Sequence, residues 1–400
     1  MRKNPTKTID EALHNFSGDW VDVNRKYLTG MEHLLSMRDF EVDNSVKTEV
    51  YREDKVRLFH YEPLAEQTCR VPLLICYALV NRYYMMDLQS DRSLIGNLLR
   101  SGLDIYIIDW GYPTKMDQFL TMEDYIQGYL NSCVDFVRSE TGHDEINLLG
   151  VCQGGTFSTI YTALNSEKIK NLVCMVAPID FRSTDGLLNL WAQDLDVDTL
   201  VDTYGVIPGW FMNYGFLMLK PFQLIIDKYV SMLDIMHNRE ALSNFVRMEK
   251  WIFDSPGQAG EAFRKFIKDL YQSNKLVKGE LEIGGERVSL KDVTCPLLNI
   301  YGTKDHLVPA ECSRPLTDLV GSKDTEAMEL PIGHIGMYVS SKSQKVLAPR
   351  VVEWLTAHST DAPAPTKGAA KRAPAPRVKK TSRRKTRSGN AKPRPRTARK

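Results

Sequence analysis

A chain of 400 residues, 43% of them hydrophobic, can bury a substantial core as one large domain with an insertion or as two ordinary domains. Its net charge of +2 hides a division: residues 361–400 carry 15 Lys or Arg against one Asp, which leaves 37 basic and 49 acidic residues in positions 1–360. Seven cysteines without paired spacing, no Cys-x-x-Cys or His-Glu-x-x-His string, and a most apolar window of only ten residues (71–80) argue against a disulfide framework, a metal site or a membrane span, and favour a reducing cytoplasm.

Residues 1–45 read as a helical lead-in without a signal-peptide core, with Trp20, Tyr27, Leu28, Leu34 and Leu35 available for packing. A charged, strand-like stretch follows at 46–60. The spacing then predicts a strand over 71–80, a helix over 93–100, a strand over 105–110 and an amphipathic helix over 125–138. The apolar run Ile146–Leu149 leads into Gly150-Val151-Cys152-Gln153-Gly154-Gly155, a helical run at 157–164 and another strand at 172–177. This alternation predicts an α/β fold, a mainly parallel sheet covered by helices on both faces. It stops near Asp180. Residues 182–290, rich in aromatic residues at helical spacing and broken at Pro208-Gly209, Pro221 and Pro256-Gly257, read as an inserted helical cap. Core segments are therefore expected at 46–181 and 291–358, the second closing with a helix near 351–357. The Lys/Arg/Pro/Ala-rich segment 359–400 is expected to stay disordered.

The Gly-x-Cys-x-Gly string between a strand and a helix has the form of a nucleophile elbow, in which glycines permit a tight apex and close backbone packing. Here the apex residue is Cys152, which favours thiol attack on an activated acyl group. Asp305 follows the apolar run 297–302, and His334 lies in the Gly-flanked loop Gly333-His334-Ile335-Gly336. The order nucleophile, acid, histidine is that of the α/β-hydrolase triad. Backbone N–H groups of Gln153 and Val80 are the expected oxyanion donors. Cys133 and the other cysteines read as core residues, and His306 as a structural neighbour of Asp305.

Three strings resemble the polyhydroxyalkanoate synthases, and most closely the class III catalytic subunit: the Cys152 box, Asp305-His306-Leu307-Val308-Pro309 and Gly333-His334-Ile335-Gly336. Tyr77-Ala78-Leu79-Val80-Asn81-Arg82 and Met248–Pro256 support the likeness, which runs from about Trp20 to Ala357 and omits the basic tail. The resemblance implies an α/β-hydrolase fold and an acyltransferase. Its substrate would be an (R)-3-hydroxyacyl-CoA, chiefly 3-hydroxybutyryl-CoA, polymerised through an acyl-Cys152 intermediate with release of CoA and no other cofactor. It further implies a non-catalytic partner subunit of the class III type, or the different partner of class IV, an oligomer, and association with cytoplasmic polyester granules. Residues 361–400 could bind nucleic acid or another polyanion. Two other readings stand beside this one: a cysteine-dependent hydrolase of the dienelactone-hydrolase kind, and a non-catalytic scaffold.

Overall fold

Eight strands form one sheet: β1 (Lys47–Glu53), β2 (Val56–Tyr61), β3 (Leu73–Cys76), β4 (Ile105–Asp109), β5 (Ile146–Val151), β6 (Ile169–Met175), β7 (Leu297–Gly302) and β8 (Thr325–Leu330). Their spatial order is β1-β2-β4-β3-β5-β6-β7-β8. The hairpin β1–β2 is antiparallel and β2 joins β4 antiparallel, while every pair from β4 to β8 is parallel. The computed structural model describes residues 25, 26, 28–34, 36, 42–183 and 186–360. Part of the expected lead-in, including Trp20, Tyr27 and Leu35, and the whole basic segment 361–400 therefore lie outside the described residues.

Burial follows from the crossovers. Helices on both faces bury all six residues of β5 and all four of β3, so these strands are continuous apolar runs rather than alternating ones. Period-2 geometry still sorts their side chains. Leu74, Cys76 and Leu148 enter the core on one face, and Leu73, Ile75, Leu149 and Val151 the core on the other. The edge strand β1, with one neighbour, keeps every residue at least partly exposed.

Helix Leu94–Arg100 begins where Ser93 Oγ accepts the Gly96 N–H at 2.7 Å, a side-chain cap for an otherwise unpaired donor. Two elements differ from the sequence expectation. The strand predicted over 71–80 ends at Cys76, because the chain there leaves the sheet and crosses the elbow. Trp110 Nε1 donates to Tyr77 O at 2.7 Å, and the Leu79 N–H donates to Gln153 Oε1 at 3.2 Å. The last helix runs from Ser341 to Ala357, starting ten residues before the expected Val351. Pro349 lies inside it on the exposed side, where water can satisfy the carbonyl that the ring leaves unpaired.

Between the neighbouring strands β6 and β7 the chain builds a layer of helices above the carboxyl end of the sheet. They include Leu187–Gln193, Val197–Tyr204, Gly209–Met218, a continuous helical stretch over 222–235, Arg239–Phe253, and another over 260–272. A two-residue pairing, Val206 with Ala259 and Ile207 with Gln258, ties the layer's two halves. Among the described residues no helix is long and apolar enough to cross a membrane.

Candidate active site

Cys152 sits between β5 and helix Gln153–Leu164 at φ +54°, ψ −125°, a conformation that a non-glycine residue adopts only when its surroundings impose it. The restraints are visible. Its N–H donates to Met175 O at 2.9 Å, and its carbonyl accepts from the N–H groups of Gly155 (2.8 Å) and Thr156 (3.3 Å). The glycines answer to close approach rather than to dihedral freedom. A Cβ on Gly154 would lie 2.2 Å from Cys76 O, and one on Gly150 2.5 Å from Gly155 Cα. The helix presses on β3 and β5 at contacts only glycine permits, which lifts the thiol above the sheet edge. Its N-terminus points unpaired N–H groups and the positive end of the helix dipole toward that thiol.

The cysteines divide by environment. Cys69, Cys76, Cys133, Cys174 and Cys312 are buried, and burial pushes the thiols of Cys76, Cys174 and Cys312 up to about 12, so they stay protonated and inert. Cys152 is half-buried and opens into a cavity. Cys295, expected in the core, is also only half-buried; burial still raises its thiol to about 12.

Asp305 follows β7, and His334 follows β8, its parallel neighbour, so two positions 29 residues apart meet at one sheet edge. His334 Nδ1 lies 2.7 Å from Asp305 Oδ2, while Asp305 Oδ1 accepts the N–H groups of Leu307 and Val308, both at 2.9 Å. The carboxylate is wholly buried with both oxygens engaged, and a carboxylate partner fixes the proton on Nδ1, leaving Nε2 for the reacting side. Burial alone would lower the His334 pKa. The charges of Asp305 and Cys152, and hydrogen bonding to both, outweigh it and raise the value to about 10. Imidazole and thiol are thus electrostatically coupled, and the ring holds a proton readily. His306, half-buried on the same turn, shifts the other way, lowered by burial and by the charge of Lys220.

Cys152, Gln153, Val80 and His334 line one cavity of about 480 Å³. Its roof comes from the helical layer through Trp191, Phe211, Phe216, Phe263, Phe266 and Tyr271. The structure therefore gathers Cys152, Asp305 and His334, and Gln153 and Val80 line the same cavity as the thiol. Sequence reasoning missed the polar residues of the wall: Asn81, Trp251, Gln258 and Tyr271. Only Asn81 carried a usable signal, as an asparagine closing an apolar run. Trp251 and Tyr271 sit in helical stretches whose spacing looks like packing, and Gln258 follows the Pro256-Gly257 break in a two-residue strand too short to read. Among the described residues no group of three or more His, Cys, Asp or Glu could hold a metal ion.

Residues 71–340 match the alpha/beta hydrolase fold family, and residues 20–98 match the Poly-beta-hydroxybutyrate polymerase (PhaC) N-terminus. The chain is 50% identical over 349 residues to the poly(3-hydroxyalkanoate) polymerase subunit PhaC of Allochromatium vinosum, covering 87% of this chain and 98% of that one. It is also 50% identical over 357 residues to the subunit of the same name from Synechocystis sp., covering 87% and 93%. A candidate lipase from Sulfolobus solfataricus, of known crystal structure, superposes with a TM-score of 0.51 at 14% identity, covering 78% of this chain and 93% of that one; this likeness concerns the fold alone.

Proposed function

This chain belongs to the poly(3-hydroxyalkanoate) polymerase family of acyltransferases, and we propose that it polymerises (R)-3-hydroxyacyl-CoA, chiefly 3-hydroxybutyryl-CoA, through an acyl-Cys152 intermediate with release of CoA. One observation carries the reading: a half-buried thiol at a strained apex shares the wall of an apolar cavity with His334, which the buried Asp305 carboxylate holds from behind.

In the first half-reaction the Cys152 proton passes to His334 Nε2 and the thiolate attacks the thioester carbonyl. The tetrahedral oxyanion is held by the N–H groups of Gln153 and Val80, and one such donor is worth on the order of 10²–10³ in rate. Collapse breaks the bond to the CoA sulfur, which leaves with the proton from His334. Exchange of one thioester for another is nearly neutral in energy, so the acyl chain rests on the enzyme without a thermodynamic trap.

In the second half-reaction a 3-hydroxyl oxygen of an incoming unit or growing chain attacks the acyl-Cys152 carbonyl. Its proton goes to His334, the carbon–sulfur bond breaks, and Cys152 recovers a proton as the ester forms. Asp305 has two roles open to it chemically, orienting His334 or taking the hydroxyl proton itself. Its burial and its three accepted hydrogen bonds support the first. Water would end the chain, and the aromatic roof supplies a means of excluding it.

The related proteins are named subunits, which supports a non-catalytic partner of the class III type, with the class IV partner as the alternative. An oligomeric enzyme on cytoplasmic polyester granules, needing no cofactor beyond the CoA thioester, completes the reading. For residues 361–400 we favour polyanion binding separate from catalysis, so removing them leaves turnover intact.

The deciding experiment supplies 3-hydroxybutyryl-CoA to the protein, with and without a co-expressed partner subunit, and follows CoA release and product size. Polymer supports the synthase. Free 3-hydroxybutyrate would indicate the hydrolase, and no CoA release with partner present would indicate the scaffold. Cys152→Ala should abolish CoA release; polymer formed at an undiminished rate would refute the acyl-cysteine mechanism.

A further inference from the structure

The loop from Tyr77 to Arg82 carries the proposed donor Val80; its ends are held at the end of β4, where Trp110 Nε1 donates to Tyr77 O and Arg82 pairs with Asp109, and the stretch between is fastened on two further sides. Toward the elbow, the Leu79 N–H donates to the side chain of Gln153, the residue whose own N–H is the other proposed donor. Toward the helical layer, Asn81 Nδ2 donates to Trp251 O (3.4 Å), Ile252 O (3.3 Å) and Asn213 Oδ1 (3.4 Å). Asn213 Nδ2 donates to the same Ile252 carbonyl, and Trp251 Nε1 returns a 2.7 Å bond to Arg82 O. Asn81 is buried and stands at φ +59°. Asparagine tolerates that left-handed conformation better than other side-chain-bearing residues, so backbone and side chain suit the position for separate reasons.

These contacts join opposite sides of the cavity. Trp251 and Ile252 end the long helix Arg239–Phe253, and Asn213 belongs to Gly209–Met218, both in the layer that roofs the thiol. The neighbouring helical stretch 222–235 has no buried residue, so little packing opposes displacement of that side of the layer. Displacement of Trp251 and Ile252 would release Asn81, and with it the loop conformation that presents Val80.

We propose that Asn81 is a positioning residue that couples the roof to the oxyanion site: the Val80 N–H faces Cys152 only while Trp251 and Ile252 are docked on the Asn81 side chain. The proposal rests on the thioester reading above and adds a safeguard to it. With the roof displaced, an acyl-Cys152 reached by water lacks one oxyanion donor, so hydrolysis is slowed when the chain is most exposed.

The test separates thiol activation from oxyanion stabilisation. Alkylation of Cys152 by iodoacetamide needs the thiolate but forms no oxyanion, whereas acylation by 3-hydroxybutyryl-CoA needs both. In the full chain with its partner, Asn81→Ala and Asn213→Ala should slow the first-turnover release of CoA, Asn81→Ala by roughly 10- to 100-fold and Asn213→Ala less. The alkylation rate should stay within about twofold of the parent, with the loss in kcat rather than KM. Asn81→Gly, which retains the left-handed backbone without the side-chain anchor, should fall between parent and Asn81→Ala. Equal slowing of alkylation and acylation in Asn81→Ala would overturn the proposal, as would parental acylation in both Asn81→Ala and Asn213→Ala. Failure of the parent to release CoA while its thiol still alkylates would instead count against the thioester reading itself.

Discussion

The elbow and the helical roof are built on opposite terms. Around Cys152 the backbone is over-determined: β5 is wholly buried, eleven of the twelve residues of the following helix are buried, and substituting its glycines would force backbone collisions. In the roof, the stretch 222–235 has no fully buried residue, and Phe222, Ile226, Val230 and Leu233 face solvent at 74%, 52%, 57% and 48% exposure. The contrast follows from what each part must do. A nucleophile held in a strained conformation needs neighbours that leave it no alternative, whereas a cover over a lengthening apolar product needs few contacts that must break when it shifts.

The largest test of that contrast is Asp305→Asn, which leaves the packing of the rigid half in place but alters its electrostatics. Without the carboxylate, burial dominates and the His334 pKa falls from its raised value, so the imidazolium formed when the ring takes the thiol proton is no longer stabilised; turnover should drop on the order of 10²–10⁴-fold. Stability gives an independent reading. A histidine whose folded pKa is raised contributes stability that is full below its unfolded pKa and is lost as pH rises through the folded value, here about 10. The deficit of Asp305→Asn in urea or thermal melts should therefore widen from pH 10 toward pH 6.5. A deficit independent of pH would remove the ion pair from the account.

Next in size is Gly154→Ala. A methyl 2.2 Å from a backbone carbonyl cannot be relieved by rotating a side chain, so overpacking should cost about 1–3 kcal/mol, read as a lower Tm together with reduced CoA release. A tolerated alanine would show that the elbow backbone is not over-determined. The smallest expected effect sharpens the other side. Ile226→Ser and Val230→Ser, on the exposed stripe, should change stability by about 0.5 kcal/mol or less in denaturant melts. A larger loss would show that this face is packed in the working protein.

Much of the core was legible in the chain because local chemistry suffices there. Buried parallel strands are runs of Val, Ile and Leu, and an elbow needs glycine on both sides of its apex; the order Cys152, Asp305, His334 could be read directly. The errors have local causes too. An apolar run through Leu79 looked like one long strand because strand and buried loop share composition, and Pro349 hid the first half of the last helix. What tertiary structure alone decided is which distant groups meet. Adjacent parallel strands brought Asp305 and His334 to 2.7 Å, and chain reversal in the roof set Trp251 and Asn213 against Asn81. Periodicity records which face of an element is buried. It holds no record of what that face is buried against, since burial is a property of one residue and contact a property of two.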